Sequence, residues 1–405
     1  MLTPQMPYPP EQGTSLRNYH ILQGLVGRHQ ISVLSFDSAD LVTEKTQPEE
    51  LATIRFYQVP VPLGRSKSKR LISMVSTDRP DLSHRLRSEA YETRLISLLT
   101  EGINNDEPFD IVQVEGLELA HFLPIVRQWS PKSRIVLDQH NAETLIQRRS
   151  LKADKQEMRG WPKALYSWVQ AGRLEQYESW ACRSADRVTV VSQSDKNHLK
   201  ELVPDIKASV IPNSIDVEEY REKTTLEGIP FDLLFTGKMD YRPNVDSAIW
   251  FAQDIWPLIR KARPTTTWAI VGQKPTSRIQ RLSEMMGVTV TGYVKEVAPF
   301  MAGAKVFVLP FRVGSGTRLK MIEAMAAGKS IVSTNVGAEG YEFQDNEELI
   351  IADDPQQFAN AVLNLLSRPQ ERVRLGQAAT VAARQYDWRV VIPKFDDVYE
   401  GLLAN

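Results

Sequence analysis

Short apolar, β-branched runs alternate along this chain with longer stretches whose apolar residues recur at helical spacing. In the first half, Ile31–Phe36, Ile54–Val59, Ile111–Val114, Ile135–Asp138 and Val188–Ser192 read as strands, most of them flanked by turn or polar residues. In the second half the same pattern marks Ser209–Ile211, Asp232–Thr236, Thr267–Val271, Val288–Thr291, Lys305–Leu309, Ser330–Thr334 and Leu349–Ile351. Helical patterns lie between most of them. This alternation predicts parallel sheets covered by helices on both faces. No full strand pattern precedes Leu2, so the first strand is expected to be missing or very short, as in a truncated start. The final stretch, Tyr386–Leu403, is amphipathic and predicts a helix packing back across the first domain.

A chain of 405 residues exceeds one ordinary core and predicts two domains. The boundary falls within Ile211–Ile229, where Pro212-Asn213-Ser214 is turn chemistry and Val217–Gly228 is polar. The expected domains are 1–212 and 213–385, with 386–405 as the returning helix. Apolar content of 42% and charged content of 24% are those of a soluble globular protein, and a net charge of −1 argues against a nucleic-acid partner. The single cysteine, Cys182, cannot form an internal disulfide, and no Cys/His cluster has zinc spacing. It reads as a buried thiol in a reducing compartment. No apolar run approaches the roughly 20 residues that span a bilayer. Met1–Pro10 carries four prolines and no basic n-region, so it is not a signal peptide. The expected location is cytoplasmic, with membrane contact at most peripheral.

Two basic stretches stand apart. One holds Arg65, Lys67, Lys69 and Arg70. The other holds Arg148, Arg149, Lys152, Lys155, Arg159 and Lys163, with Trp161 and Trp168. They admit two readings: an exposed loop and helix, or a surface that meets anionic lipid headgroups or a lipid-linked acceptor.

The chemistry concentrates after Lys305–Leu309. That strand pattern leaves through Pro310-Phe311-Arg312-Val313 into Gly314-Ser315-Gly316-Thr317, and Arg318–Ala327 then reads as a helix closed by Gly328. Strand, glycine loop and helix place the loop at the carboxyl edge of a parallel sheet, where open α/β folds bind ligands. The glycines permit close approach of a phosphate, and the first amides and positive dipole end of the helix face it. Thr317 is the expected N-cap, with a hydroxyl also in reach of a phosphate oxygen. Lys320 and Glu323 stand three apart, about 4.5 Å along the axis, on a face beside the apolar stripe of Leu319, Ile322 and Ala326. They are either an ordinary surface pair or a cation for a diphosphate with a carboxylate one turn deeper for ribose hydroxyls. The segment is neither a Walker loop nor G-x-G-x-x-G.

Further loops end other strands. Asp232–Thr236 runs into Gly237-Lys238, with Arg242 following, and both cations suit a phosphate. Gly13 opens a helix whose backbone could reach one too. Ile135–Asp138 ends in Gln139-His140-Asn141, which puts His140 at a strand's carboxyl end rather than on an apolar face. Glu115 follows Ile111–Val114 in the same way.

These segments together resemble the GT-B glycosyltransferases, and most closely glycosyltransferase family 4. The likeness is carried by Pro7–Pro10 with Gly13 and Arg17, by Asp138–Asn141, Ser184–Asp186 and Val190–Ser192, by Ile211–Asp216, by Gly237–Asn244, Gly314–Gly328 and Ser333–Gly340. The run Glu323-Ala324-Met325-Ala326-Ala327-Gly328 is the most specific of them. The resemblance implies an α/β GT-B fold, two doubly wound Rossmann-like domains facing a central cleft, with the donor held mainly by the second domain and the acceptor by the first. It implies a retaining sugar transfer from a UDP- or GDP-sugar to a glycan or lipid-linked acceptor, with no cofactor and no metal. The absence of an Asp-x-Asp triplet fits the last point. By the same likeness Glu323 binds the ribose, Lys238 and Arg242 hold the diphosphate, His140 contacts the transferred sugar, and Gly13 approaches the diphosphate from the first domain. His140, Lys238 and Glu323 are thereby the expected catalytic residues. Gly314, Ser315, Gly316, Thr317, Arg318 and Lys320 complete the donor-binding set.

Gly-Ser-Gly-Thr-Arg-Leu-Lys is similar to a subgroup linked to surface polysaccharide synthesis. Two departures are plain. The family often carries two glutamates eight apart; the second matches Glu323 and the first falls on Ser315. Its usual Gly-Arg is Gly-Lys here. Ser315 keeps open a non-catalytic nucleotide-sugar binder, and a sugar-nucleotide epimerase using His140 and Glu115 is a further alternative.

Overall fold

The computed structural model describes residues 1–10, 13–37, 47–64, 66, 77–148, 161–224, 227–314 and 316–404, the side chains of 161–168 excepted. Packing divides the chain into two compact units: Met1–Pro212 with Val391–Asn405, and Asn213–Val390.

The first unit is built on a parallel sheet of seven strands: β1 (Leu2–Thr3), β2 (Ser32–Asp37), β3 (Arg55–Pro60), β4 (Ile111–Glu115), β5 (Arg134–Gln139), β6 (Arg187–Val190) and β7 (Ala208–Val210). Their order is β3-β2-β1-β4-β5-β6-β7. β1 is only two residues long, yet it is an interior strand, pairing Leu2 with Leu34 on one side and with Val114 on the other. β5 shows why such runs become central strands. Ile135, Val136 and Leu137 are all fully buried, so side chains on both faces leave water, each worth about 1.5–3 kcal/mol for a large aliphatic group. Asp186 fixes where β5 starts, its carboxylate accepting from the Ile135 amide and from Arg127, both at 2.7 Å.

The second unit holds six parallel strands: β8 (Phe231–Thr236), β9 (Trp268–Val271), β10 (Val288–Val290), β11 (Ala304–Leu309), β12 (Ser330–Ser333) and β13 (Ile350–Ile351), in the order β10-β9-β8-β11-β12-β13. Asp232 locks three of them together at their amino ends. It accepts from the Thr267 amide at 3.0 Å before β9 and from Lys305 Nζ at 2.8 Å on β11.

The segment after Asn213 is tied to the return of the chain. Ile215 bridges Asp387, the Val217 amide donates to Asp387, and Arg389 pairs with Asp216 at 2.6 Å. Residues up to Val390 therefore stay with the second unit, a few positions beyond the expected start of the returning helix. That helix, Pro393–Leu403, packs in the first unit. Asp396 meets Arg28 and His29 there at 2.6 and 2.7 Å, and the Tyr399 hydroxyl donates to Gln113.

Cys182 is buried and unoxidised, and burial pushes its thiol pKa up. No described helix is long and apolar enough to cross a membrane. Of the two basic stretches, Arg65, Lys67, Lys69, Arg70, Arg149, Lys152, Lys155 and Arg159 lie outside the described residues, as do the side chains of Lys163, Trp161 and Trp168. Arg148 pairs with Glu175 at 2.7 Å.

Candidate functional site

In the second sheet the strand order reverses between β8 and β11, which pair in register through Leu234 and Phe307. Loops leaving two such neighbours diverge and open a crevice at their carboxyl ends. Those loops are Gly237-Lys238 and Pro310–Thr317, the two segments with candidate phosphate ligands.

Lys320 joins them. Its side chain reaches from the helix Leu319–Ala326 to the end of β8, where Nζ donates to the Thr236 carbonyl at 2.6 Å and to Asn244 Oδ1 at 2.9 Å. Phe235 and Phe311 present ring faces at 5.0 and 5.2 Å from Nζ. An ammonium has three donors, and among the described residues these two bonds engage two of them. Burial is the main reason its pKa drops to about 7, with Arg318 adding to the effect and Glu323 opposing it. Gly237 makes the crossing possible. Its φ is +150°, and a Cβ there would stand 2.5 Å from Lys320 Nζ and 2.7 Å from Asn244 Nδ2. Asn244 Nδ2 in turn donates to the Lys238 carbonyl at 2.9 Å.

Glu323 lies one turn further along. Its Oε1 accepts from the Tyr220 hydroxyl at 2.9 Å. Burial raises its carboxyl pKa, against the Tyr220 hydrogen bond and the Lys320 charge. Tyr220 belongs to the short helix Val217–Lys223, which Asp216 caps by accepting from the Glu219 amide. Lys320 and Glu323 thus take different partners and are not a simple surface pair.

The glycine loop differs from expectation at one point. The N-cap of Leu319–Ala326 is Arg318, not Thr317, and no side chain caps the helix among the described residues. Thr317 Oγ1 instead accepts from Asn213 Nδ2 at 2.7 Å. Arg318 is buried, stacks over Phe311 at 5.2 Å and donates to the Gly316 carbonyl at 2.9 Å. Gly314, at φ +146°, leaves room for it, since a Cβ there would lie 2.4 Å from Nη2. Ser315 lies outside the described residues. Lys238 is 40% exposed, 3.9 Å from Asp240, and Arg242 is exposed at the start of the helix Arg242–Trp250.

The first unit holds a second cluster, around His140. Its order reverses between β1 and β4, and Glu115 ends β4 while His140 follows β5. His140 Nε2 meets Glu115 Oε2 at 2.8 Å and lies 3.7 Å from Asp138 Oδ2. Arg17 grips Asp138 through Nε at 2.8 Å and Nη2 at 3.0 Å, and Thr189 adds a bond at 2.6 Å. The same guanidinium donates to the Pro212 and Ile211 carbonyls at 3.0 and 3.1 Å. Burial works against a charge on His140, but the Glu115 hydrogen bond and the two carboxylates prevail and raise its pKa. Burial and the Asp138 charge likewise raise Glu115, whereas Arg17 outweighs burial and lowers Asp138. Glu115, Asp138 and His140 bring ligand atoms within 4.8 Å of one another. Arg17 and Thr189 already occupy the Asp138 oxygens, and the guanidinium charge opposes a cation there. Gly13 is exposed at the first position of the helix Gly13–Leu25.

The model of glycosyltransferase family 4 matches residues 12–219, more than half of the chain. The chain belongs to glycosyltransferase family 4. A second model, glycosyl transferases group 1, matches residues 230–368 of this family-4 chain. Phosphatidyl-myo-inositol mannosyltransferase of Mycobacterium tuberculosis is 28% identical over 208 residues, 48% of this chain and 54% of the relative. A Klebsiella pneumoniae protein described as an uncharacterised 44.6 kDa protein in the cps region is 26% identical over 141 residues, 33% of this chain and 36% of that protein. The chain spans about half or less of the length of these curated relatives. Among solved structures, sucrose-phosphate synthase from Thermosynechococcus elongatus superposes with a TM-score of 0.70 at 15% identity, covering 97% of this chain and 94% of that one. Anabaena HepE, solved in complex with UDP, gives 0.64 at 13% identity, covering 99% of each. These likenesses establish a GT-B fold.

Sequence reasoning missed Tyr220, Asn244 and the Thr236 carbonyl. Tyr220 sits in a polar stretch that reads as linker, and a backbone carbonyl has no sequence signature. Asn244 follows Pro243 two residues after an aromatic, a weak helix-start signal that says nothing about a lysine elsewhere.

Proposed function

We propose that this chain is a retaining glycosyltransferase that moves a sugar from a UDP- or GDP-sugar to a glycan or lipid-linked acceptor in glycan or glycolipid synthesis, with no metal on the diphosphate. The observation that carries this reading is the Lys320–Glu323 arrangement behind a glycine loop, at the reversal point of the second sheet in a family-4 chain. The relative named for phosphatidyl-myo-inositol supports a lipid-linked acceptor. The HepE complex supports a nucleoside diphosphate in this fold.

In this reading Glu323 accepts from ribose hydroxyls through Oε2, and the Tyr220 bond fixes its rotamer. Lys320 faces the diphosphate together with Arg318, Lys238, Arg242, Gly314, Ser315, Gly316 and the first amides of Leu319–Ala326. As the glycosidic bond breaks, negative charge grows on the leaving phosphate, and these fixed positive groups stabilise it. His140, its ring held by Glu115 and its pKa raised, donates to the transferred sugar. The Gly13 backbone is a further candidate ligand for a phosphate. A lipid-linked acceptor is consistent with peripheral membrane contact, and a nucleotide-sugar donor with a location inside the cell.

Turnover with a panel of UDP- and GDP-sugars, with and without acceptor, tests the proposal. Release of nucleoside diphosphate with transfer of the sugar is expected for at least one donor. Tight nucleotide binding with no turnover on any donor favours a non-catalytic binder, the reading that Ser315 supports. A new sugar nucleotide formed without acceptor favours epimerisation.

The depressed pKa of Lys320 adds a pH dependence. A diphosphate stabilises the ammonium, so binding takes up a proton above pH 7. Affinity for UDP or GDP should be full below about pH 7 and fall by up to about tenfold per unit between pH 7 and 9. Calorimetry in buffers of different ionisation enthalpy reads this proton uptake directly. Uptake that persists in Lys320→Met would rule out Lys320 as its source.

A further inference from the structure

The backbone just after His140 ends on buried carboxylates. Residues 143–148 are helical, so the first amides of that turn lack partners within it and form a natural anion site. Here the anion is the protein's own. Glu178, fully buried on the helix Trp161–Ser184, accepts from the Glu143 amide through Oε1 and the Thr144 amide through Oε2, both at 3.1 Å. The Thr144 hydroxyl donates to Oε2 as well. Gln139, with its amide nitrogen turned toward these oxygens, donates to Glu178 Oε1 at 2.9 Å and to the Asn141 carbonyl at 3.2 Å. Asp195, buried at the start of Gln193–Leu202, receives the Ala142 amide at 3.4 Å and the Ser192 hydroxyl at 2.5 Å.

His140 therefore stands between two kinds of restraint. Glu115 holds its ring, and Glu178 holds the Gln139 side chain before it and the Glu143 and Thr144 amides after it. Burial raises the Glu178 carboxyl pKa to about 7, the Thr144 and Glu143 hydrogen bonds oppose that rise, and the carboxylate form accepts at both oxygens. No part of the transfer chemistry requires Glu178 itself.

We propose that Glu178 is a positioning residue, whose two-oxygen clamp on the Glu143 and Thr144 amides and the Gln139 side chain sets where the His140 imidazole stands. The role in transfer rests on the glycosyltransferase reading; the clamp does not. A glutamine at this position keeps the shape but turns one acceptor into a donor, so either the Glu143 or the Thr144 amide faces another N–H. An aspartate keeps both acceptors on a stem shorter by one methylene.

The test uses the full chain with Glu178→Gln and Glu178→Asp. Amide exchange over residues 140–148 is measured by mass spectrometry, and His140 is titrated by NMR after assignment with His140→Asn. UDP and GDP affinity and turnover are measured alongside. For Glu178→Gln, exchange at 142–146 should quicken about tenfold, as expected for losing a hydrogen bond to a charged group. The His140 titration should move, and kcat should fall about tenfold while nucleotide affinity stays within about twofold. Glu178→Asp should recover part of each. Unchanged exchange and an unchanged His140 titration in Glu178→Gln would overturn the proposal. So would a loss of overall stability that leaves the His140 titration where it was. If the unaltered chain turns over no donor, the transferase reading fails, and exchange and titration still decide the clamp.

Discussion

Replacing Glu323 with alanine is expected to weaken UDP or GDP binding about 100-fold while leaving the protein folded. Each hydrogen bond from a ribose hydroxyl to a carboxylate is worth about 1.5–3 kcal/mol, and the alanine removes that acceptor outright. It also strips the Tyr220 hydroxyl of its acceptor and Lys320 of the nearest charge that supports its protonated form. Nucleotide affinity therefore falls through the ribose and, indirectly, through the diphosphate. Glu323→Gln keeps one acceptor and the side-chain shape, so it should fall between the two. Titration calorimetry with UDP and GDP checks both variants. Binding within about threefold of the original in Glu323→Ala would remove Glu323 from the site.

The largest expected effect on stability belongs to Arg17. Its side chain and that of Asp138 are almost wholly buried, and the guanidinium satisfies both Asp138 oxygens and the carbonyls of Ile211 and Pro212. Breaking a buried pair from one side strands the other charge, at about 3–5 kcal/mol. Arg17→Met should lower the melting temperature of the first unit by about 10 °C or more, taking about 2–4 °C per kcal/mol for a domain of this size. Removing both charges, Arg17→Met with Asp138→Leu, should recover part of the loss, because no lone charge remains. Calorimetric melting of both variants beside the original decides the matter. A single variant that melts within about 3 °C of the original would show that water reaches Asp138.

Much of the architecture was already written in local pattern. Runs such as Ile135–Asp138 and Lys305–Leu309 are short, β-branched and bounded by turn residues, and every predicted strand lies within a residue or two of one observed. β1 is the very short first strand that was expected; its exact place could not be read because two residues carry no periodicity. The glycine loop and helix after β11 were equally clear, since strand, glycines and helical spacing are all local. The N-cap moved from Thr317 to Arg318 because a long-range partner, Asn213, engages the threonine hydroxyl.

By itself, then, the sequence determined two parallel α/β units, the loops at their strand ends and the residue types able to meet a nucleoside diphosphate. Each of those rests on neighbours within about ten positions in the chain. Only the tertiary structure decided how the residues are held. Lys320 is caged by Thr236, Asn244 and two aromatic rings from other elements, and Glu323 is fixed by a tyrosine 103 positions away. Asp138 is neutralised by Arg17 across 121 positions, and the backbone beside His140 is clamped by Glu178. Such contacts set charge, pKa and orientation through distance in space. Spacing along the chain carries no record of them.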